Sequence, residues 1–516
     1  GEVVKRIREY KKMVWSNTLS YLTTFNNIHH LDFLAGYEID DTYNDYLSGE
    51  AYNFTTPDKH AISNGMKTVS VGGSDSRYRL VSYLSRLNYD YKNKYYLGAS
   101  FRVDGSSRLH RDNRWGTFWS VSGAWRTIEE EFMQPVKDWL TDLRIRASYG
   151  VNGTLPSDYF GYMGLSSISG GYLEQPGIQM SQIANPNLKW ETNYNMNIGL
   201  DFGFWDRLNF TIEYYTRTTK NLLMDCPVSM TTGFSSYLMN IGEVKNKGIE
   251  LTINSTNIKI KDFNWNTTFN LGHNSNKVVK LDGEQTQIVS GTQIHKVGSS
   301  YRTFYVQEFA GINPETGNPL FYTNELDENG NYIKEITENS KNAQFIPYKH
   351  AEPTVNGGIS NSLRYKWLDL NFLFSYQFGG YSYDTWAQKT EHGGYDSYAN
   401  IPTYYRDSWK KPGDQTNIEV YMPGKSSSVS MHKITSSRRI HSTDYFRLKN
   451  ITFGITLPKE WTNKINIGNV RFYASASNLW TWAAYDNYDP EAVSAGSATQ
   501  TTPPLKTVTF GLNINF

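Results

Sequence analysis

The chain has 516 residues, with 51 Lys and Arg against 50 Asp and Glu, and a single cysteine, Cys226. The net charge of +1 excludes a general nucleic-acid surface, and one cysteine excludes both an internal disulfide framework and a cysteine-based zinc site. An aromatic fraction of 15 %, with 38 tyrosines, excludes a disordered polar chain, and no apolar run approaches the ~18 residues of a membrane helix.

In chain order, period-two alternation predicts strands at approximately 10–25, 28–40, 77–91, 94–104, 115–127, 142–151, 190–204, 207–220, 247–258, 263–275, 352–364, 367–380, 443–457, 469–480 and 505–516. Leu208, Phe210, Ile212 and Tyr214 alternate with Asn209, Thr211, Glu213 and Tyr215. Leu370, Phe372, Phe374, Tyr376 and Phe378 alternate with Asp369, Asn371, Ser375 and Gln377. In the last strand Val508, Phe510, Leu512, Ile514 and Phe516 share one side. Runs of about 10–15 residues exceed the ~5–6 of soluble strands and suit a tilted crossing of a bilayer.

The connections alternate in length. Short ones fall near Asn26, at Lys92–Asn93, 128–141, Trp205–Asp206, 259–262, Tyr365–Lys366 and 458–468. Long ones fall at 41–76, 105–114, 152–189, 221–246, 276–351, 381–442 and 481–504. Short periplasmic turns opposite long external loops are the pattern of an outer-membrane barrel, and a sandwich or propeller has no reason for that parity. The first and last strands then both run inward, an odd count of about fifteen where bacterial barrels are even. The expected fold is therefore all-β, a transmembrane antiparallel β-barrel of which part precedes this chain.

Chemistry-bearing constellations are thin. His29 and His30 beside a hairpin turn, and His392, His432 and His441 in or near one long loop, read as solvated loop histidines. Asp327-Glu-Asn-Gly-Asn331 starts like a calcium loop, but its glycine comes too early, so a tight hairpin turn is expected. Trp115, Trp125, Trp190, Trp205, Trp367 and Trp480 at strand ends read as interfacial girdle residues. Trp386, Tyr395, Tyr398, Tyr404, Tyr405 and Trp409 lie in a long loop and are the candidates for contacting a sugar, a peptide or a partner protein, with packing inside the loop as the plain alternative. No catalytic, cofactor-binding or metal-binding residues are expected, and no cofactor.

Several segments resemble the SusC/RagA-like TonB-dependent outer-membrane transporters. They are 88–107 (NYDYKNKYYLGASFRVDGSS), 115–126 (WGTFWSVSGAWR), 143–150 (LRIRASYG), 185–191 (NPNLKWE), 240–250 (NIGEVKNKGIE), 445–452 (YFRLKNIT) and the last strand. The resemblance covers nearly the whole chain and lies in the order of the segments more than in any one. It implies a plugged barrel of roughly 22 strands, of which residues 1–516 would be the C-terminal part, with the plug, the TonB-contacting segment and about seven strands outside it. It also implies active import of a large nutrient, an oligosaccharide or oligopeptide, across the bacterial outer membrane, energised through TonB. A SusD-like surface lipoprotein would act as lid, and the barrel assembly machinery would read Phe510, Leu512, Ile514 and Phe516. The protein would be an integral, lipid-facing outer-membrane transporter, not an enzyme. The alternatives are an outer-membrane porin, an outer-membrane enzyme active at its rim, and a soluble carbohydrate-binding or hydrolysing β-protein.

Overall fold

A computed structural model describes residues 2–54, 56, 58, 60–172, 175–281, 286–395, 400–424, 430–431, 433–465, 467–499 and 501–515. Fifteen strands form the main sheet: β1 (Glu2–Phe25), β2 (His29–Phe54), β3 (Gly65–Tyr91), β4 (Tyr95–Ser106), β5 (Trp115–Trp125), β6 (Leu140–Thr154), β7 (Glu191–Phe204), β8 (Leu208–Lys220), β9 (Glu243–Lys259), β10 (Phe263–Lys280), β11 (Val355–Tyr365), β12 (Leu368–Phe378), β13 (Tyr445–Thr456), β14 (Asn469–Ala483) and β15 (Thr507–Asn515). Each follows its predecessor in the sheet, so the order in space is the order in the chain. That is an up-and-down meander, the connectivity of a membrane barrel. No helix among the described residues is long and apolar enough to cross a membrane.

The expected length parity of the connections is present, and the short ones have a local cause. Asn26 and Asn27, Lys92 and Asn93, and Trp205 and Asp206 all have φ between +51° and +58°. Positive φ at both central residues is the geometry of a type I′ turn, whose twist matches that of the flanking strands. Most strand ends move by a few residues from expectation, with two real corrections, the first being that β1 starts at Glu2 and not near residue 10. The stretch 41–76 is not a loop: β2 runs on to Phe54 and β3 starts at Gly65. The register Asp41↔Arg79, Tyr43↔Arg77 and Asp45↔Asp75 carries the ladder far past the aromatic residues. Both faces are polar there, so alternation is silent while backbone pairing continues.

The chain divides into two compact units, residues 1–132, 144–198 and 217–243, and residues 133–143, 199–216 and 244–516. In the first, two rows of rings cross the apolar face. Trp15, Tyr37, Tyr83 and Trp115 follow one another with centroids 6.1, 5.1 and 6.4 Å apart. Near the short turns His29, Tyr91, Tyr95 and Trp125 do the same at 5.0, 6.3 and 6.4 Å. Between the rows β2 and β4 show Leu31, Phe33 and Ala35, and Leu97, Ala99, Phe101 and Val103. Eight residues separate the rows along β3, from Tyr83 to Tyr91, roughly 26 Å of strand and about 20 Å along the normal of a tilted strand, close to the ~25 Å apolar band of an outer-membrane barrel.

Opposite these rows, and toward the long connections, Leu109, Phe118, Leu188 and Trp190 form a buried core. Trp190, expected in the girdle, is therefore a core residue, its indole N–H donating to the Arg114 carbonyl at 3.0 Å. A side chain at Gly153 would meet the Phe118 ring within 2.3 Å, so glycine is what lets that ring lie on the strand.

In the second unit the ladder β10–β11–β12 sets Phe269 against Ile359 and Ile359 against Phe374, with Asn270, Gly358 and Ser375 on the other face. On that polar face Arg471 pairs with Asp369 at 2.6 Å across β13. A Cβ at the intervening Gly454 would sit 2.4 Å from both groups, so the pair depends on that glycine. The long connections fold on themselves. Residues 287–296, 303–307 and 345–350 form a four-stranded sheet. Phe304, Val306, Tyr383 and Ile440 make one core, and Phe321, Ala343, Met431 and Ile434 another.

Candidate functional site

The six aromatic candidates separate once packed. Tyr405 is buried, with its hydroxyl 3.5 Å from Glu419, and Trp409 donates its indole N–H to the Pro314 carbonyl at 2.7 Å while its ring covers Gly317. Both are held by packing within the loops. Tyr404 lies beside Tyr405, centroids 5.9 Å apart, its hydroxyl donating to Glu391, and burial pushes its phenol up to about 12. Tyr395 is partly exposed, with the Lys433 ammonium 5.1 Å above its ring. Tyr398 and Phe516 lie outside the described residues, as does His432. Phe510, Leu512 and Ile514 stand on the apolar face of β15, opposite Ala474, Phe472 and Val470.

Trp386 is as exposed as Tyr395 and Tyr404, and it lines a cleft. It sits on the short helix α1 (Thr385–Thr390), whose N-cap Asp384 accepts from the Ala387 N–H at 2.7 Å. The other Asp384 oxygen accepts from the Tyr485 hydroxyl and the Asn487 amide, both at 3.1 Å, fastening the helix to the 484–506 segment. That segment is clamped in turn. The buried Arg447 reaches Asp489 at 2.5 Å, pairs with Glu491, and donates to the Thr481 hydroxyl at 3.0 Å.

The result is a cleft of about 670 Å³ lined by Trp386, Trp482, Asp486, Asn487, Tyr488 and Lys506, among others. The two indoles remain 37 % and 49 % exposed. Asp384 and Asp489 in its wall are already satisfied, and Asp486 and Lys506 offset one another in sign, so the cleft presents flat ring faces and amide and hydroxyl edges with little net charge. Such a surface stacks on and hydrogen-bonds to a neutral polar chain. Sequence reading missed every lining residue except Trp386, because the partners lie far downstream, on the ends of β13 and β14 and on the connection after β14, and carry no spacing signal.

The histidines need a correction. His392 is buried and its Nδ1 accepts from the Gly394 N–H at 3.2 Å, so it is not a solvated loop residue. His441 lies flat on Tyr485, centroids 3.7 Å apart at 2°. Burial holds its imidazole down to about 4; the nearby Asp384 carboxylate pulls the other way, and Arg439 and Arg438 push in the same direction as burial. His29 belongs to the lower aromatic row and bonds the Tyr89 hydroxyl at 2.7 Å. Asp327 does form a tight turn, accepting the Asn329 and Asn331 amides at 2.9 and 2.8 Å. Among the described residues no group of three or more His, Cys, Asp or Glu side chains is placed to hold a metal ion.

Residues 6–332 match the family described as TonB dependent receptor-like, beta-barrel. The chain is 32 % identical to TonB-dependent receptor P3 of Formosa agariphila over all of its own length and 53 % of that protein. It is 30 % identical to TonB-dependent receptor SusC of Bacteroides thetaiotaomicron, covering 92 % of this chain and 47 % of that one. Among solved structures, the RagAB peptide transporter superposes with a TM-score of 0.87 at 27 % identity, over 99 % of this chain and 56 % of that one. The chain thus spans about half the length of the curated relatives it matches.

Proposed function

The chain belongs to the TonB-dependent receptor β-barrel family of the outer membrane, and from that premise we propose that it supplies the wall and external loops of an importer for a large nutrient, an oligosaccharide or oligopeptide. On this reading TonB energises uptake through a part of the protein outside residues 1–516, and a SusD-like lipoprotein closes over the loops.

The observation that carries the reading is the cleft lined by α1, the end of β14 and the 484–506 segment, where Trp386 and Trp482 stay partly exposed. A polymer of uncharged polar units held by stacking binds and releases without paying to strip a charge of water. The long folded connections on the same side support the idea of a partner, because loops of that length without a function are uncommon.

The test is uptake by cells carrying the intact transporter. Trp386→Ala with Trp482→Ala should raise the substrate concentration for half-maximal uptake about tenfold, with surface abundance unchanged. Removing two stacking faces worth about 0.5–1.5 kcal/mol each sets that size. Unchanged uptake would remove the cleft from the substrate path. Purification of the intact protein from native membranes should also return a surface lipoprotein, and repeated absence would count against the lid.

A further inference from the structure

Strand β13 breaks its own alternation. Phe446 and Leu448 share the apolar face with Ile451, Phe453 and Ile455, so the phase slips by one residue at Lys449 and Asn450. Against β12, Leu448 stands opposite Phe374 and Asn450 opposite Leu373, which leaves Lys449 without a partner in that ladder. Against β14, Leu448 stands opposite Trp480 and Asn450 opposite Ser477, so Asn478 and Leu479 together face Lys449. Asn478 takes a φ of +55°, a left-handed conformation that Asn tolerates better than most residues, and its amide donates to the Leu505 carbonyl at 3.2 Å. A bulge gives up ladder pairing and re-aims side chains. Here it sets Lys449 and Asn450 side by side on the polar face. Asn450 turns to the Ser475 and Ser477 hydroxyls, at 3.2 and 3.4 Å. Lys449 turns to Glu491, its ammonium 2.6 Å from the carboxylate.

That contact balances a charge. The buried Arg447 holds Asp489 at 2.5 Å as well as Glu491, and the Tyr445 hydroxyl donates to the other Glu491 oxygen at 3.0 Å. Two carboxylates against Arg447 alone would leave one negative charge uncompensated where little water reaches, which is costly. Lys449 brings the cluster to two cations against two anions.

The turn that carries both carboxylates borders two cavities. Asp489 and Pro490 line the cleft of about 670 Å³, and Pro490 and Glu491 line a second cavity of about 340 Å³. With open space bordering it twice, the turn depends on its ions more than on packing. We propose that Lys449 is a positioning residue: by balancing the charge of Arg447, Asp489 and Glu491 it keeps the 484–506 segment, with Asn487 and Tyr488, in the wall of the cleft that Trp386 and Trp482 line. This role bears on uptake through the reading that the cleft holds the nutrient.

The test uses the intact transporter that contains this chain, in cells and purified, with surface abundance and heat-modifiable mobility checked for each variant. K449Q should speed hydrogen exchange of the Glu491 and Ala492 amides, which donate to Asp489, about tenfold or more. It should also raise the concentration for half-maximal uptake about fivefold at unchanged maximal rate, because a cleft assembled for about a fifth of the time binds with about a fifth of its affinity. K449R keeps the charge, and K449Q/E491Q restores the balance at one cation against one anion, so both should recover exchange and half-saturation most of the way. Unchanged exchange in K449Q would overturn the proposal, as would a double variant no better than K449Q. Faster exchange with an unmoved half-saturation, where W386A/W482A still raises it, would overturn the positioning role and leave the cleft in the substrate path. An unmoved half-saturation in both would remove the cleft from that path, and the positioning role with it. Should K449Q fail to reach the membrane, a K449Q/E491Q protein that does reach it would bear out the charge balance, and one that does not would overturn it.

Discussion

At the residue scale, polar groups packed inside the external loops define a pH response. His441 lies against Tyr485 and near Asp384, Arg438 and Arg439, and burial holds it down to about 4 from an ordinary 6.5. The folded loop keeps the ring neutral, whereas an opened loop takes up a proton below about pH 6.5. Its contribution is therefore complete above pH 6.5 and is lost as pH falls toward 4, at about 1.4 kcal/mol per unit of depression. Cleavage of the 379–444 segment in the intact protein by an acid-tolerant protease, calibrated on an unfolded substrate, should rise between pH 7 and pH 4.5. His441→Phe keeps a ring on Tyr485 and should flatten that rise; an equal rise in the variant would assign it to other groups.

At the scale of the element, each strand has two chemically opposite faces, and the pairing turns that into a register that can be measured. Phe372 stands opposite Ile451 and Asn361, while Asn371 stands opposite Thr452 and Ser362 on the other face. Phe372→Arg puts a charge against lipid and should cost about 2–4 kcal/mol near the midplane, falling toward the interfaces. Asn371→Arg joins the face that already holds Arg471 and Asp369 and should cost much less. Denaturant titration of the intact protein in lipid reads both, and equal costs would reverse or erase the face assignment. The same logic explains how much was legible beforehand. Phe372, Phe210 and Leu512 declared their strands because one apolar face against one polar face is a pattern carried residue by residue. Residues 45–54 did not, since polar residues stand on both of their faces and only the ladders to β1 and β3 make them strand.

For the molecule as a whole, the two strands at the ends of the sheet order matter most. Among the described residues β1 pairs with β2 alone and β15 with β14 alone. Each unpaired N–H or C=O facing hydrocarbon costs several kcal/mol, so a sheet with two such edges is not a stable membrane body. We therefore expect residues 1–516 expressed alone to show neither heat-modifiable mobility nor uptake. In the intact protein, the outward-directed amides of β1 between Trp15 and Phe25 should be protected from hydrogen exchange by a further strand. A folded, uptake-competent 1–516 would contradict this.

What the sequence determined by itself is the meander: about fifteen strands, their faces, the short turns and the side on which long connections gather. All of these follow from period-two alternation and turn chemistry, which are local and need no partner to be read. Tertiary structure alone decided the rest. It took Trp190, Tyr405 and Trp409 out of the exposed set, buried His392, extended β2 and β3 beyond the aromatic row, and brought Trp386 to Trp482 in one cleft. The reason is physical: an aromatic ring in a loop has the same local pattern whether it faces water, a ligand or another loop. Only contacts between segments far apart in the chain choose among the three, and a sequence pattern carries no record of them.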